Sequence, residues 1–313
     1  MPPLQVAVGV VKDGAGKILI SLRHKALHQG GLWEFPGGKI EAQETAEQAL
    51  ARELNEELNI TVATASPLIT VNHHYPDRSV QLNVFLVEQF SGEAKSCEGQ
   101  QFKWVTPADL KRYAFPAANQ TIITAACLPP YYAILDDADP ALLLVNLQKI
   151  LNQGIKLIQA RLKSLPIAAV AEFVEQAYPL CKQQQAMLLL NSALQYPAAD
   201  GIHLTSHDLM AVRSSAQALT LRTDNSQWLA ASCHNLEQLE HAQNIGVDFA
   251  VLAPVLATKT HPDAVALGWE QFTYLVNKVN LPVYALGGMS KSSLNKAQQN
   301  GAQGIAAIRA FLD

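Results

Sequence analysis

Residues 37–60 read GGKIEAQETAEQALARELNEELNI, and five of their side chains could do chemistry together: Glu44, Arg52, Glu53, Glu56 and Glu57. Glu53 and Glu57 are four residues apart and Glu56 is three from Glu53, so on a helix they share one face. Like charges at that spacing repel, by roughly 0.2–0.5 kcal/mol per pair in isolated helices. A hard divalent cation, Mg2+ or Mn2+, accounts for a face carrying such repulsion, because both prefer carboxylate oxygens. The bland alternative for a bare Glu-Glu pair is a solvated surface helix.

The elements around this stretch must position it. From Thr45 to Leu58 there is no Gly or Pro, and Leu50, Leu54 and Leu58 recur at helical spacing, which predicts a helix with a buried leucine stripe. Upstream, GLWEFPGG at 31–38 lets backbone approach a ligand, and a carbonyl such as that of Gly37 is one more hard oxygen. The β-branched run Val6–Val11, the turn Asp13–Gly16 and Ile18–Leu22 read as a hairpin, followed by a donor cluster of Arg23, His24, Lys25 and His28. Downstream, strands are expected over Thr61–Val71, Val80–Val87 and Phe102–Val105, with HHYPDR at 73–78 and Glu98 in intervening loops. FPAAN at 115–119 leads into a last helix ending near Cys127. The adjacent His73 and His74 point only weakly to zinc, because no cysteine or third histidine lies nearby.

Gly38, five residues, Glu44, seven residues, then Arg52-Glu53-Leu54-x-Glu56-Glu57-x-x-Ile60 resembles the Nudix box, with Asn59 where the box has its last Gly. Asn is the residue after Gly that best tolerates the left-handed helix end this position requires. LWEFPGGKIE at 32–41, YPDR at 75–78, LVE at 86–88, Glu98 and FPAAN extend the resemblance to MutT-type Nudix hydrolases, which remove 8-oxo-dGTP from the nucleotide pool. That resemblance implies an α/β/α sandwich with a mixed sheet over residues 1–128. It also implies hydrolysis of a nucleoside triphosphate to the monophosphate and pyrophosphate, a step of mutation avoidance. By position, the metal would be held by Glu53, Glu56, Glu57, Glu98 and the Gly37 carbonyl. Either Glu53 or Glu98 would be the general base, with Arg52 and Glu44 orienting the carboxylates. Arg23, His28, Glu34, Phe35, Pro36, Gly38, Arg78 and Asn119 fall where the family holds substrate. Asn119 both donates and accepts, so its amide can read a purine edge bidentately.

At 313 residues the chain is long enough for about two domains. A net charge of −4 with no basic run argues against a nucleic-acid polymer as partner, while a single nucleotide held through a metal stays compatible. Cysteines 97, 127, 181 and 233 show neither metal nor disulfide-framework spacing, which fits a reducing cytoplasm. The first residues read as a strand rather than a signal peptide, and no apolar run of about 18 residues suggests a membrane span.

Pro129-Pro130 marks a linker, and a second domain is expected over 131–313. Its β-like runs are Tyr131–Leu135, Ile155–Arg161, Ala186–Asn191, Gly201–Leu204, Leu229–Cys233, Phe249–Ala253, Pro282–Leu286 and Gly304–Ile308. Eight such runs with helices between them predict a (β/α)8 TIM barrel, whose active sites lie at the C-terminal strand ends. The polar residues there are Gln159, Arg161, Lys163, Asn191, His203, Asp208, Ser232, His234, Thr258, Thr260, Gly287 and Gly288. QARLK at 159–163, GIHLTSHD at 201–208, APVLATKT at 253–260 and ALGG at 285–288 resemble thiamine phosphate synthase and its thiazole tautomerase relatives. The resemblance implies a thiamine or thiazole phosphate ligand. Three positions depart from the synthase: Ser192 replaces a magnesium-binding Asp, His261 a Lys, and Arg309 a small residue. Losing a carboxylate weakens charge complementarity for Mg2+–pyrophosphate. Tautomerase chemistry with His234 as acid/base, or a barrel that only binds a phosphorylated ligand, stand beside the synthase reading. The fusion also leaves damaged thiamine diphosphate as an alternative substrate for the first domain.

Overall fold

The helix α1 forms over Ala46–Leu58 and its ends follow from its sequence. Thr45 caps the start, accepting from the Gln48 N–H while the Gln48 side chain accepts from the Thr45 N–H. Asn59 ends it in the left-handed region at φ 57°, as its place in the box requires. The computed structural model describes residues 2–25, 29–191, 198–224, 226–258 and 265–312, so His28, Ser192, Thr260 and His261 lie outside the described residues.

Two units divide the chain, Met1–Cys127 and Leu128–Asp313. In the first, β1 (Leu4–Val11), β2 (Ile18–Leu22), β3 (Trp33–Glu34) and β4 (Gly37–Lys39) precede α1. After it come β5 (Thr61–His74), β6 (Ser79–Ser91), β7 (Phe102–Val105) and the closing helix α2 (Gln120–Cys127). A mixed sheet runs in the order β4-β1-β6-β5, with β1 parallel to β6, and β2 is the centre of a second sheet, β3-β2-β7. Alternation along β1 makes the sandwich: Ala7 and Val11 pack with Leu50, Leu54 and Leu58 of α1, while Val8 and Val10 pack with Ile122 and Ile123 of α2. Burial on both faces explains the unbroken apolar run.

The expected hairpin between β1 and β2 is corrected by this topology. The turn is made, with the Asp13 N–H bonded to the Lys17 carbonyl, but only a Lys12–Ile18 bridge joins the two strands. Both edges of β1 are occupied by β4 and β6, so β2 is left to pair with β3 and β7.

The second unit is a closed barrel of eight parallel strands, borne out as expected. They are β8 (Tyr131–Asp136), β9 (Leu157–Arg161), β10 (Met187–Asn191), β11 (Gly201–Leu204), β12 (Trp228–Cys233), β13 (Phe249–Leu252), β14 (Val283–Leu286) and β15 (Gly304–Ala307). Period-two alternation sends Tyr132, Ile134, Leu157, Leu189, Ala230, Phe249, Val251, Tyr284 and Ala306 into one interior cluster, while Ala133, Leu135, Ile158, Leu188 and Leu190 join the layer under the helices. Leu128 belongs to that interior cluster, and the Leu128, Pro129 and Pro130 carbonyls accept from Gln303, Tyr284 and Ile305. No helix among the described residues is long and apolar enough to cross a membrane.

Candidate active site and barrel cavity

In the first unit Arg52 is the hub of the acidic face. Its guanidinium donates to both Glu44 carboxylate oxygens, at 2.8 and 3.3 Å, to Glu53 at 2.9 Å, to Glu56 at 3.2 Å and to the Lys39 carbonyl at 3.1 Å. The Arg52 bonds, then the Glu41 N–H, hold the Glu44 carboxyl below its ordinary range, and the carboxylates in turn raise the Arg52 pKa. Glu53 lies flat against β4: a Cβ added at Gly38 would sit 2.1 Å from its carboxyl carbon. Gly37 is required as well, since its φ is +147° and a Cβ there would meet the Ala7 carbonyl at 2.2 Å.

Glu57 is the focus of the field. Burial, then Glu53, Glu34 and Glu98, push its pKa up to about 8, against the opposing attraction of Arg23. Glu98 is exposed, yet its loop is tied to the end of α1 by the Cys97 N–H and Gln100 side chain on the Glu57 carbonyl and the Lys95 N–H on the Leu58 carbonyl. Arg23 is ion-paired with Glu34, whose pKa is still raised because burial outweighs that attraction. Arg23 also acts electrostatically on Tyr75, whose hydroxyl is bonded to the Ala118 backbone beside Asn119.

The expected substrate residues are placed unevenly. Phe35 is 3% exposed and stacked on Phe115 at 5.4 Å, so it is a wall rather than a surface. Pro36 is buried, and its carbonyl accepts from the Gly9 N–H. Asn119 is 8% exposed and sits where the chain enters α2. Arg78 is ion-paired with Asp77 at 2.9 Å in the loop between β5 and β6, with nearly half of its side chain exposed. Tyr75 was not among the expected substrate residues; its place within YPDR was the signal for it.

Among the described residues no group of three or more His, Cys, Asp or Glu is drawn together to hold a metal ion. Glu53 and Glu56 engage Arg52 instead, Glu57 is half-buried and Glu98 stands on its loop. The donor chemistry nonetheless fits a hard cation: Glu53, Glu34 and Glu98 all act on Glu57, and Gly38 leaves Glu53 the room a Cβ would fill.

In the second unit a cavity of about 830 Å³ opens where the inward rows of the strands reach their C-terminal ends. It brings together Gln159, Arg161, Lys163, Asn191, Ser232 and His234 with Thr258, Gly287 and Gly288. Both glycines have positive φ and leave no room for a Cβ against the 254–257 loop, whose Leu256 N–H donates to the Gly287 carbonyl. Asp208 does not line the cavity: at the start of α5 (the fifth helix, Ser206–Ala211, after two between β8 and β10) it accepts from the Thr205 hydroxyl at 2.7 Å. Thr205, Ser206 and Met289 line it without having been expected there, and a count of every second residue past each strand end would have found Thr205. Lys163 has a lowered pKa, through burial first and then Arg161.

These features define a chain of two catalytic-type folds, and the comparisons place each in a family. The chain belongs to the Nudix family through residues 7–125, which match the family described as NUDIX domain, and to the thiamine monophosphate synthase family through residues 131–311. It is 41% identical to the 8-oxo-dGTP diphosphatase of Escherichia coli (strain K12), over 39% of this chain and 95% of the relative. The 8-oxo-dGTP diphosphatase of Proteus vulgaris is 46% identical over 31% of this chain and 86% of its own length. The barrel is 33% identical to the "Putative thiamine-phosphate synthase 2" of Aquifex aeolicus (strain VF5), over 59% of this chain and 99% of that protein. The chain is therefore an enzyme, a Nudix hydrolase, of a family that uses divalent metal ions.

Proposed function

We propose that residues 1–128 hydrolyse 8-oxo-dGTP to 8-oxo-dGMP and pyrophosphate with Mg2+ or Mn2+, clearing an oxidised nucleotide from the cytoplasmic pool, and that residues 131–313 form a phosphate-ligand barrel joined through 129–130. The observation that supports this reading is the Arg52 guanidinium, which holds Glu44, Glu53 and Glu56 together beside β4, where Gly38 leaves Glu53 the room a Cβ would take. Glu53, Glu56, Glu57 and Glu98 with the Gly37 carbonyl would hold the cation, which supplies neutralisation of the phosphates and activation of water. Arg52 fixes Glu53 and Glu56 in place. Either Glu53 or Glu98 takes the proton of the attacking water, Arg23 contacts phosphate, and the Asn119 amide pairs with the purine edge. A pocket that recognises a base through hydrogen bonds rejects the wrong one strongly, because its buried polar groups are then left unpaired. The test is incubation of pure protein and Mg2+ with 8-oxo-dGTP, dGTP, thiamine diphosphate and oxothiamine diphosphate, with pyrophosphate and phosphate quantified. Preferential hydrolysis of a thiamine compound would replace this reading with the alternative substrate.

One observation favours a second reading, for the barrel. His234 Nδ1 lies 2.8 Å from the Ala253 carbonyl, an acceptor only, so Nδ1 carries the proton and Nε2 offers its lone pair. An acid/base at the cavity rim suits isomerisation of a thiazole phosphate, which needs no pyrophosphate. Heat-shift titration with thiazole phosphate and thiamine phosphate tests it; no shift with either leaves the barrel a structural support.

A further inference from the structure

The last carbonyls of a helix have no partner inside it, and the negative end of its dipole lies there. In α1 that end carries Glu57 and no basic residue in the last turn, and Glu53, Glu34 and Glu98 all act on Glu57. Bringing the Glu98 carboxylate to this end is therefore opposed electrostatically, and something else must hold it there. Between β6 and β7, residues 92–101 form neither helix nor strand, yet they supply the missing caps. The Lys95 N–H donates to the Leu58 carbonyl at 3.1 Å, and the Cys97 N–H to the Glu57 carbonyl at 2.9 Å.

Gln100 completes this attachment from the other side of Glu98. Its Nε2 donates to the Glu57 carbonyl at 2.9 Å, so with the Cys97 N–H that oxygen uses both lone pairs. Its Oε1 accepts from the Glu98 N–H at 3.1 Å and from the Ser96 hydroxyl at 2.9 Å. These bonds fix the orientation of the amide, because a flipped one would set its oxygen against the Glu57 carbonyl and its NH2 against the Glu98 N–H. Gly99 makes the geometry accessible: at φ +81° it turns the chain so that the Gln100 side chain returns to the N–H two residues earlier. One side chain thus joins the backbone of Glu98 to the backbone of Glu57, and neither carboxylate is part of the joint.

We propose that Gln100 is a positioning residue of the hydrolase: its amide holds Glu98 at the end of α1 against carboxylate repulsion, so that the Glu98 arm of the cation site is in place before a cation arrives. This rests on the reading that Glu98 belongs to that site. Two measurements on the full-length protein test it. The first is amide hydrogen exchange by NMR on metal-free protein, which needs no nucleotide. The wild type protects the Glu98 N–H, and in Gln100→Ala it exchanges on the order of tenfold faster. The second is Mn2+ binding by electron paramagnetic resonance, with kcat and KM for 8-oxo-dGTP alongside. Gln100→Ala weakens Mn2+ binding and lowers kcat, each by roughly tenfold, with KM little changed. Glu98→Gln does the same, and the double variant is no worse than Glu98→Gln alone, as expected if one residue acts through the other. A Glu98 amide unprotected in the wild type, or equally protected in Gln100→Ala, overturns the clamp and leaves the nucleotide chemistry standing. Losses that add in the double variant overturn it as well, since Gln100 then acts elsewhere than through Glu98. Unchanged Mn2+ affinity and kcat in Glu98→Gln remove Glu98 from the site and the proposal with it, whatever the exchange shows. If Gln100→Ala does not fold, Gln100→Met, which keeps the length of the side chain without its amide, is measured in its place.

Discussion

The two units meet phosphate chemistry with opposite charges. Around α1 the protein supplies carboxylates, with Glu53, Glu34 and Glu98 all acting on Glu57, so a phosphate there calls for added positive charge. Around the barrel mouth Arg161, Lys163 and Arg309 line the cavity, and Asp137 and Asp208 act on Lys163 without being part of that lining. Arg52 shows how the first arrangement stays folded: one guanidinium carries Glu44, Glu53 and Glu56 at once. In the second arrangement the cations stand at the mouth, while the polar groups Asn191 and His203 are buried and neutral.

Chelation tests the first arrangement most directly: EDTA should abolish nucleotide hydrolysis, read as the loss of pyrophosphate release. Glu53→Gln should lower kcat for nucleotide hydrolysis by about 10²–10⁴-fold with the circular dichroism spectrum unchanged. A folded and fully active Glu53→Gln protein would take the acidic face out of the chemistry and dissolve the comparison.

The next effect is on stability, and it belongs to the barrel. The His203 pKa falls from an ordinary 6.5 to about 3 on folding, so between those values the unfolded chain binds the extra proton. Its contribution is complete above pH 6.5 and is lost as pH falls toward 3, by about 1.4 kcal/mol per pH unit. Chemical denaturation of wild type and His203→Gln at pH 7 and pH 4.5 should show a steeper acid loss for wild type. Equal slopes would mean that His203 is not held neutral. Smaller again, Asn119→Ala should raise KM for 8-oxo-dGTP on the order of tenfold and KM for dGTP much less. Equal changes for both nucleotides would remove Asn119 from base recognition.

How much of this was readable in the sequence depended on how local the cause was. The helix, its Thr45 cap and its Asn59 end follow from short-range rules, and so do the eight barrel strands. The β1–β2 hairpin misled because the turn is local but the choice of edge is set by β4 and β6, far along the chain. Asp208 was grouped with the barrel ligands from its motif; its spacing from the Thr205 cap, which lines the cavity, gives it that hydroxyl as a partner. Tyr132 reads as core from its pattern; its bond to His203 spans 71 residues and exists only once the barrel closes. The Glu98 loop was visible, but not that Cys97 and Gln100 fasten it to the end of α1.

The smallest effect probes that fastening. Asn59 is left-handed, and its side-chain amide donates to the Glu93 carbonyl at 3.2 Å at the start of the loop that carries Glu98. Restoring the glycine of the box relieves the left-handed backbone, by roughly 1 kcal/mol, and forfeits a hydrogen bond of similar worth. Asn59→Gly should therefore leave stability within about 0.5 kcal/mol of wild type, whereas Asn59→Ala loses both contributions and should destabilise by about 1–2 kcal/mol. Chemical denaturation of the two variants separates these outcomes. An Asn59→Gly protein destabilised as much as Asn59→Ala would show that the Glu93 bond, not the backbone conformation, is what the asparagine supplies. The loop beside Glu57 would then depend on a side chain that the acidic helix acquired in place of its glycine.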